Sequence, residues 1–289
     1  MYGVNYRREE KRLLKAIASF LPVWLGNRKV VFISDGHINN GGGEDNFKHN
    51  IPLLADIVLP WYAMREYLIV LVGDIAELWE TIWQKIIAYA PNMRVIPSLF
   101  HCWFWLKGNH DWDISPFLDD RLKDVVFARG LRIVDEKRNT VGFACHGDLI
   151  DRFNRPGWFQ KYIIRPFIRY IWVWIERLFG RVKERSPAKN TKWGEELDTF
   201  IDWFCNKHGL FAITAHTHNP FIRILKNGLH ANCGSWVNDG GQTVEYGSNG
   251  MRVVKWKPDG TREVFDGRKV RVYGVHKKKS GRKYRPRRK

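Results

Sequence analysis

Cysteine is scarce. Four occur in 289 residues, at Cys102, Cys145, Cys205 and Cys233, and no two form a C-x-x-C pair. A disulfide framework is thereby disfavoured, and a reducing, cytoplasmic compartment fits best. Three of the four lie in apolar, strand-like runs, where a buried thiol is the expected state. Long apolar runs are missing too. Nothing approaches the ~20 residues that a transmembrane helix needs, so none is expected. The first 25 residues carry acids and Lys15 and lack a small-residue cleavage site, which argues against a signal peptide.

Acidic residues are also in short supply. Lys and Arg number 48 against 30 Asp and Glu, a net charge of +18. Lys277 to Lys289 holds nine basic residues and no acid, half of that excess, so the body of the chain is basic in its own right. Such a field favours anionic partners: phosphates, nucleic acid or acidic lipid surfaces. What the chain has in abundance is tryptophan, 14 residues, which implies that something apolar and planar is covered or contacted. The length allows one large α/β domain or two small ones.

Apolar, β-branched runs predict buried strands at Val30 to Ser34, Leu68 to Val72, His101 to Leu106, Val141 to Cys145, Phe211 to Ala215 and Phe221 to Leu225. Helices are expected over Tyr6 to Phe20, Phe47 to Met64 and Glu77 to Tyr89. Leu229 to Cys233, Met251 to Trp256 and Arg262 to Phe265 read as antiparallel strands around turns.

Five short runs end such segments: Asp35-Gly36-His37, Gly73-Asp74, Gly108-Asn109-His110-Asp111, His146-Gly147-Asp148 and His216-Thr217-His218. From His37 to Asp74 is 37 residues, from Asp74 to Asn109 is 35, and from Asn109 to His146 is 37. A strand plus its crossover takes about 30 residues. Equal spacing therefore puts each run at the same sheet edge, where open α/β sheets bind ligands. The next interval, His146 to His216, is 70 residues, which marks an insertion at about 150–192. Within it, Phe167 to Phe179 is apolar around most of a helical circumference. Such a helix is buried, interfacial or paired with a partner.

Asp, His and Asn at five strand mouths supply enough oxygen and nitrogen ligands for two divalent cations. Cations roughly 3.5–4 Å apart can neutralise a phosphoester, generate a nucleophile and hold the ester in line. The mixed donor set points to Mn, with Fe or Zn as alternatives, rather than calcium.

The five blocks in this order resemble the calcineurin-like metallophosphoesterase superfamily, whose pattern is D-x-H, G-D, G-N-H-D/E, H, then G-H-x-H. The resemblance implies a four-layer α/β/β/α sandwich as a catalytic domain over 1–275 that contains the helical insertion, and the charge run over 276–289 reads as a basic, disordered tail. It implies Asp35, His37 and His218 as ligands of one cation, Asn109, His146 and His216 as ligands of the other, and Asp74 as the bridge. His110 would face the leaving group, and Glu77 would orient it. Asp111 and Asp148 are candidates to hold ligands from behind. The implied activity is hydrolysis by a dinuclear metal-dependent phosphohydrolase.

Two runs narrow the substrate. Gly73-Asp74-Ile75-Ala76-Glu77-Leu78-Trp79 and Asn232-Cys233-Gly234-Ser235-Trp236 are similar to runs of the UDP-2,3-diacylglucosamine pyrophosphohydrolase group, in which an apolar insertion covers the acyl chains of a lipid substrate. That group usually has Arg where His110 stands. Two classes stay open. One is a phosphodiester or pyrophosphate of a nucleotide-linked lipid, with peripheral membrane contact through 158–181. The other is nucleic acid or a nucleotide, bound through the basic surface and 277–289. An exposed Trp-rich helix would also favour oligomers.

Overall fold

A computed structural model describes residues 4–42, 45–99, 101–151, 167 and 192–273. The basic tail lies outside them, and so does the insertion, including 158–181, except for its ends and Phe167. The chain opens with α1 (Tyr6–Ser19), capped by the Asn5 side chain, which accepts from the Arg8 N–H. Leu13 and Ile17 form its buried stripe. β1 (Leu21–Trp24) follows directly and contains Pro22. Proline is admissible there because β1 lies at the edge of its sheet.

β2 (Val30–Ile33), β3 (Leu68–Val72), β4 (Phe104–Leu106) and β5 (Val126–Ala128) are parallel neighbours. The helix expected over 47–64 forms in pieces: a 3₁₀ turn at Lys48–Asn50, α2 (Ile51–Leu53), a π turn at Leu54–Val58 and α3 (Leu59–Ala63). Pro52 and Pro60 sit in the first turn of α2 and α3, where a missing N–H is tolerated. The helix expected over Glu77 to Tyr89 shrinks to α4 (Trp83–Ala88), and before it the Glu77 carboxylate accepts from the Trp79 N–H at 3.2 Å. A short α5 (Ile96–Leu99) precedes β4.

The second sheet contains β1, β6 (Gly130–Val134), β7 (Thr140–Cys145), β8 (Phe211–Thr214), β9 (Phe221–Ile224) and β10 (Leu229–Asn232), in the order β1-β6-β7-β8-β10-β9. β7, β8 and β10 run parallel to one another. The long helix α6 (Lys192–His208) feeds β8. β11 (Gly241–Gly247), β12 (Gly250–Trp256), β13 (Arg262–Phe265) and β14 (Val270–Tyr273) return antiparallel to the first sheet, giving it eight strands.

Side-chain alternation builds the layers. Val30, Phe32, Val70 and Val72 face the other sheet and meet Leu131, Ala144, Ile213 and Ala231. Val31, Ile33 and Leu71 point outward to Leu54, Val58, Tyr62 and Ile86 of the helical segments. On the far side, Phe143 and Ala212 pack under Leu13 and Ile17 of α1 and Phe200 and Phe204 of α6. The architecture is therefore the expected four-layer α/β/β/α sandwich. All four cysteines are free and buried. Among the described residues, no helix is long and apolar enough to cross a membrane.

Candidate metal centre

The C-terminal ends of β2, β3, β4, β7 and β8 converge at one edge of the sandwich, and all five sequence blocks lie there. The backbone at this edge is unusual. Asp35, His37, Asp74, His216 and His218 have φ values of 50°, 46°, 53°, 73° and 53°. Glu66 and Arg138 are the other non-glycine residues with positive φ among those described. Asp and His enter the left-handed region more readily than most residues, but at a cost of roughly 1–2 kcal/mol each. Each turn brings its side chain back over the end of the strand.

Asp35 Oδ1 lies 2.9 Å from His218 Nε2 and 3.8 Å from His37 Nε2. The three residues form one compact donor group. Asp74, His146 and His216 form a second. His146 Nδ1 donates to the Val72 carbonyl at 3.0 Å, so its Nε2 faces Asp74 Oδ2 at 2.9 Å. His216 Nε2 meets Asp151 Oδ2 at 2.9 Å, which leaves its Nδ1 for other work. The His216 N–H donates to Asp35 Oδ2 at 3.2 Å, and this bond ties the two groups together.

Glu77 lies between them and His110. Its Oε2 takes His37 Nδ1 and its Oε1 takes His110 Nδ1, each at 2.7 Å. Trp79 stacks on the His110 ring at 4.4 Å between centroids and donates its indole N–H to the Asn109 carbonyl at 2.6 Å. Asp111 accepts from the N–H of Gly108 at 2.7 Å, the N–H of Ile75 at 3.0 Å and the Trp105 indole at 3.0 Å, which locks the β4 loop onto the β3 loop. All nine residues expected at the site are thus gathered at one edge.

The donor set fits divalent cations. His37 Nε2 and His218 Nδ1 are buried without a hydrogen-bond partner. The close approach of His146 Nε2 to Asp74 lacks hydrogen-bond alignment. Nitrogen and carboxylate oxygen converging on one point is the arrangement two ligands of one ion adopt once the imidazole has released its proton.

The family model for calcineurin-like phosphoesterases matches residues 28–220, more than half of the chain. The chain belongs to the calcineurin-like phosphoesterase family. It is a metal-dependent hydrolase, and its substrate carries a phosphate. No curated protein sequence matches the phosphoesterase significantly. Among solved structures it is similar to a predicted phosphoesterase from Streptococcus pneumoniae TIGR4, at 14% identity over 86% of this chain and 98% of that one, with a TM-score of 0.37. It is similar to Yfce, a phosphoesterase from E. coli, at 16% identity over 86% and 100% of the two chains, TM-score 0.37. It is also similar to an archaeal phosphodiesterase, at 14% identity over 78% and 99%, TM-score 0.38.

Electrostatics at the phosphoesterase site oppose burial. Burial alone would raise the Asp35 carboxyl, but His218 and His146 hold it well below the usual carboxylate range. Burial would likewise raise Glu77, yet His110 and then His37 bring it down to about 2. Glu77 is therefore ionised and can only accept, so both histidines donate from Nδ1 and keep Nε2 facing away from it. Burial would lower His146, whereas Asp74 and Asp35 raise it to about 10.

Sequence reasoning missed three contributors. Glu77 grips His37 as well as His110. Asp151 holds His216. Asn232, part of the N-x-G-S-W run, donates to the Ala215 carbonyl at 3.2 Å and to Thr217 Oγ1 at 3.0 Å, which fixes the turn carrying His216 and His218. The acid three residues after Asp148 was a usable signal for Asp151. After His37, Asp45 accepts from the N–H groups of Gly41, Phe47 and Lys48 and folds that loop back on itself.

Proposed function

We propose that this phosphoesterase cleaves a phosphodiester or pyrophosphate bond at a dinuclear centre. Asp35, His37 and His218 would hold one cation, Asn109, His146 and His216 the other, and Asp74 would serve both, with Mn preferred over Fe or Zn. When bound, the cations supply Lewis acidity and lower the pKa of water. The observation that carries the reading is the double grip of Glu77, which fixes a ligand, His37, and a proton donor, His110, relative to each other. His110 is pushed down by burial and lifted further by Glu77 and Asp74, so its net pKa is raised and it keeps a proton for the leaving-group oxygen. Trp79 prevents the ring from turning away.

The substrate we infer is a nucleotide-linked lipid of the UDP-diacylglucosamine kind. Two features support it. Trp79 and Asn232, from the two runs that resemble that group, both act on the site, and the Trp-rich stretch follows Asp151 in sequence. A nuclease or nucleotide phosphoesterase is the second reading, and the net charge of +18 favours it. Turnover of a chromogenic phosphodiester with Mn²⁺ tests the chemistry. Asp74→Asn should abolish it, and retained turnover would refute the dinuclear centre. Deleting Pro166 to Arg181 separates the substrates: a loss confined to acylated pyrophosphates supports the lipid, and equal losses on a small diester refute it.

A further inference from the structure

The chain passes from one sheet to the other through a single residue. β5 belongs to the eight-stranded sheet and ends at Ala128; β6 belongs to the six-stranded sheet and starts at Gly130. Only Arg129 lies between them. Its neighbours are paired with the strands that carry the ligand loops. Ala128 lies beside Leu106, three residues before Asn109, and Gly130 lies beside Cys145, the residue before His146.

The Arg129 side chain joins the same two loops. One guanidinium nitrogen donates to the Lys107 carbonyl, at the start of the Gly108-Asn109-His110-Asp111 run. The other donates to Asp148 Oδ2 at 2.8 Å, in the His146-Gly147-Asp148 run. Asp148 is fully buried. The guanidinium also lies 4.4 Å from the centre of the Trp112 ring, which covers it from the side of the first loop. A planar fork with fixed donors suits a bridge between a carbonyl and a carboxylate; a lysine has one point charge and no such fork.

We propose that Arg129 is a positioning residue that sets the separation of Asn109 and His146, and hence the affinity of the cation they share. The inference rests on the dinuclear reading. Asp35, His37 and His218 are on the other donor group, and none of the contacts of Arg129 reaches them. The role is therefore selective: the Asn109–His146 cation should loosen and the Asp35–His37–His218 cation should not. Partners that hold metal ligands from behind typically change affinity by ~10–100-fold when removed.

The test is a Mn²⁺ titration of metal-free protein followed by electron paramagnetic resonance, in which a mononuclear ion and an exchange-coupled pair have different spectra. Wild type should pass from the first to the second. Arg129→Gln should bind the first ion as wild type does and need ~10–100-fold more Mn²⁺ to form the pair. Arg129→Lys should behave like Arg129→Gln. Asp148→Asn, which leaves Arg129 in place and removes the carboxylate charge it meets, should weaken the pair in the same selective way and covers the case in which neither Arg129 variant folds. Pair formation at wild-type Mn²⁺ in the folded variants, full rescue by Lys, or equal weakening of both ions would overturn the proposal. A wild-type protein that never forms the pair would instead sink the dinuclear reading itself, and this proposal with it.

Discussion

Gly108→Ala is a one-methyl perturbation aimed at Asp74. A Cβ at position 108 would lie 2.1 Å from Asp74 Oδ1, 2.6 Å from the Asp74 backbone nitrogen and 2.8 Å from Asp74 Cγ. Ordinary contact starts at 3.4 Å, so about 1.3 Å must open at the closest pair. The carboxylate could swing, but the backbone nitrogen is held more firmly, because the carbonyls of Gly73 and Asp74 on either side of it accept from the N–H groups of Asp35 and His37 at 3.1 and 2.9 Å. Nor can the glycine retreat easily, since its own N–H is held by Asp111 at 2.7 Å. Overpacking of this kind costs about 1–3 kcal/mol. For a chain of this size that is a fall in Tm of roughly 2–4 °C per kcal/mol. The larger consequence is chemical: Asp74 leaves its 2.9 Å approach to His146, so Mn²⁺ affinity should drop by at least ~10-fold. Calorimetric Tm and Mn²⁺ titration read the two effects, with Gly247→Ala as the control because nothing lies within 4 Å of its Cβ. If Gly108→Ala bound Mn²⁺ as tightly as that control, the packing argument for Asp74 would be wrong.

Two other outcomes follow from the same geometry. His146 is raised to about 10 by Asp74 and Asp35 against the effect of burial, so in the metal-free protein its charge stabilises the fold fully below an unfolded pKa of ~6.5 and that contribution fades as pH climbs toward 10. Metal-free Tm should therefore fall from neutral to alkaline pH, Mn²⁺ affinity should rise over the same range, and calorimetry in two buffers should detect protons released on loading; a Tm that rises with pH would contradict the assignment. Glu77→Gln can serve only one of its two histidines as acceptor, so kcat/KM should fall by ~10–100-fold, and an unchanged value in steady-state assays would dismiss the double grip.

The site was legible because its chemistry lies in contiguous blocks at strand ends, and buried parallel strands announce themselves as β-branched runs. Asp35, Asp74, Asn109 and His146 could be placed on one edge by spacing alone. What escaped were partners set by the crossing of the two sheets. Arg129 bonds Asp148 across 19 positions and Lys107 across 22, and no local pattern predicts either contact. α6 escaped for another reason. Leu197, Phe200, Ile201, Phe204 and Cys205 follow helical spacing and are buried, but the stretch between the insertion, which ends at about 192, and the strand at Phe211 is assigned no element in the sequence. Glu77 to Tyr89 reads as helix by the spacing of its apolar residues, but at its start the Glu77 carboxylate takes the Trp79 N–H, a local side-chain bond that competes with the helical ladder.

The five left-handed Asp and His residues of the candidate site concentrate backbone strain at one edge of this sandwich. Glycine at any of them would relax the backbone and erase a donor in the same step. A library of variants screened for heat resistance alone should drift toward Gly or Asn at these positions and emerge sturdier and inert, whereas the same screen run in saturating Mn²⁺ should preserve them, because occupancy then rewards the strained conformation.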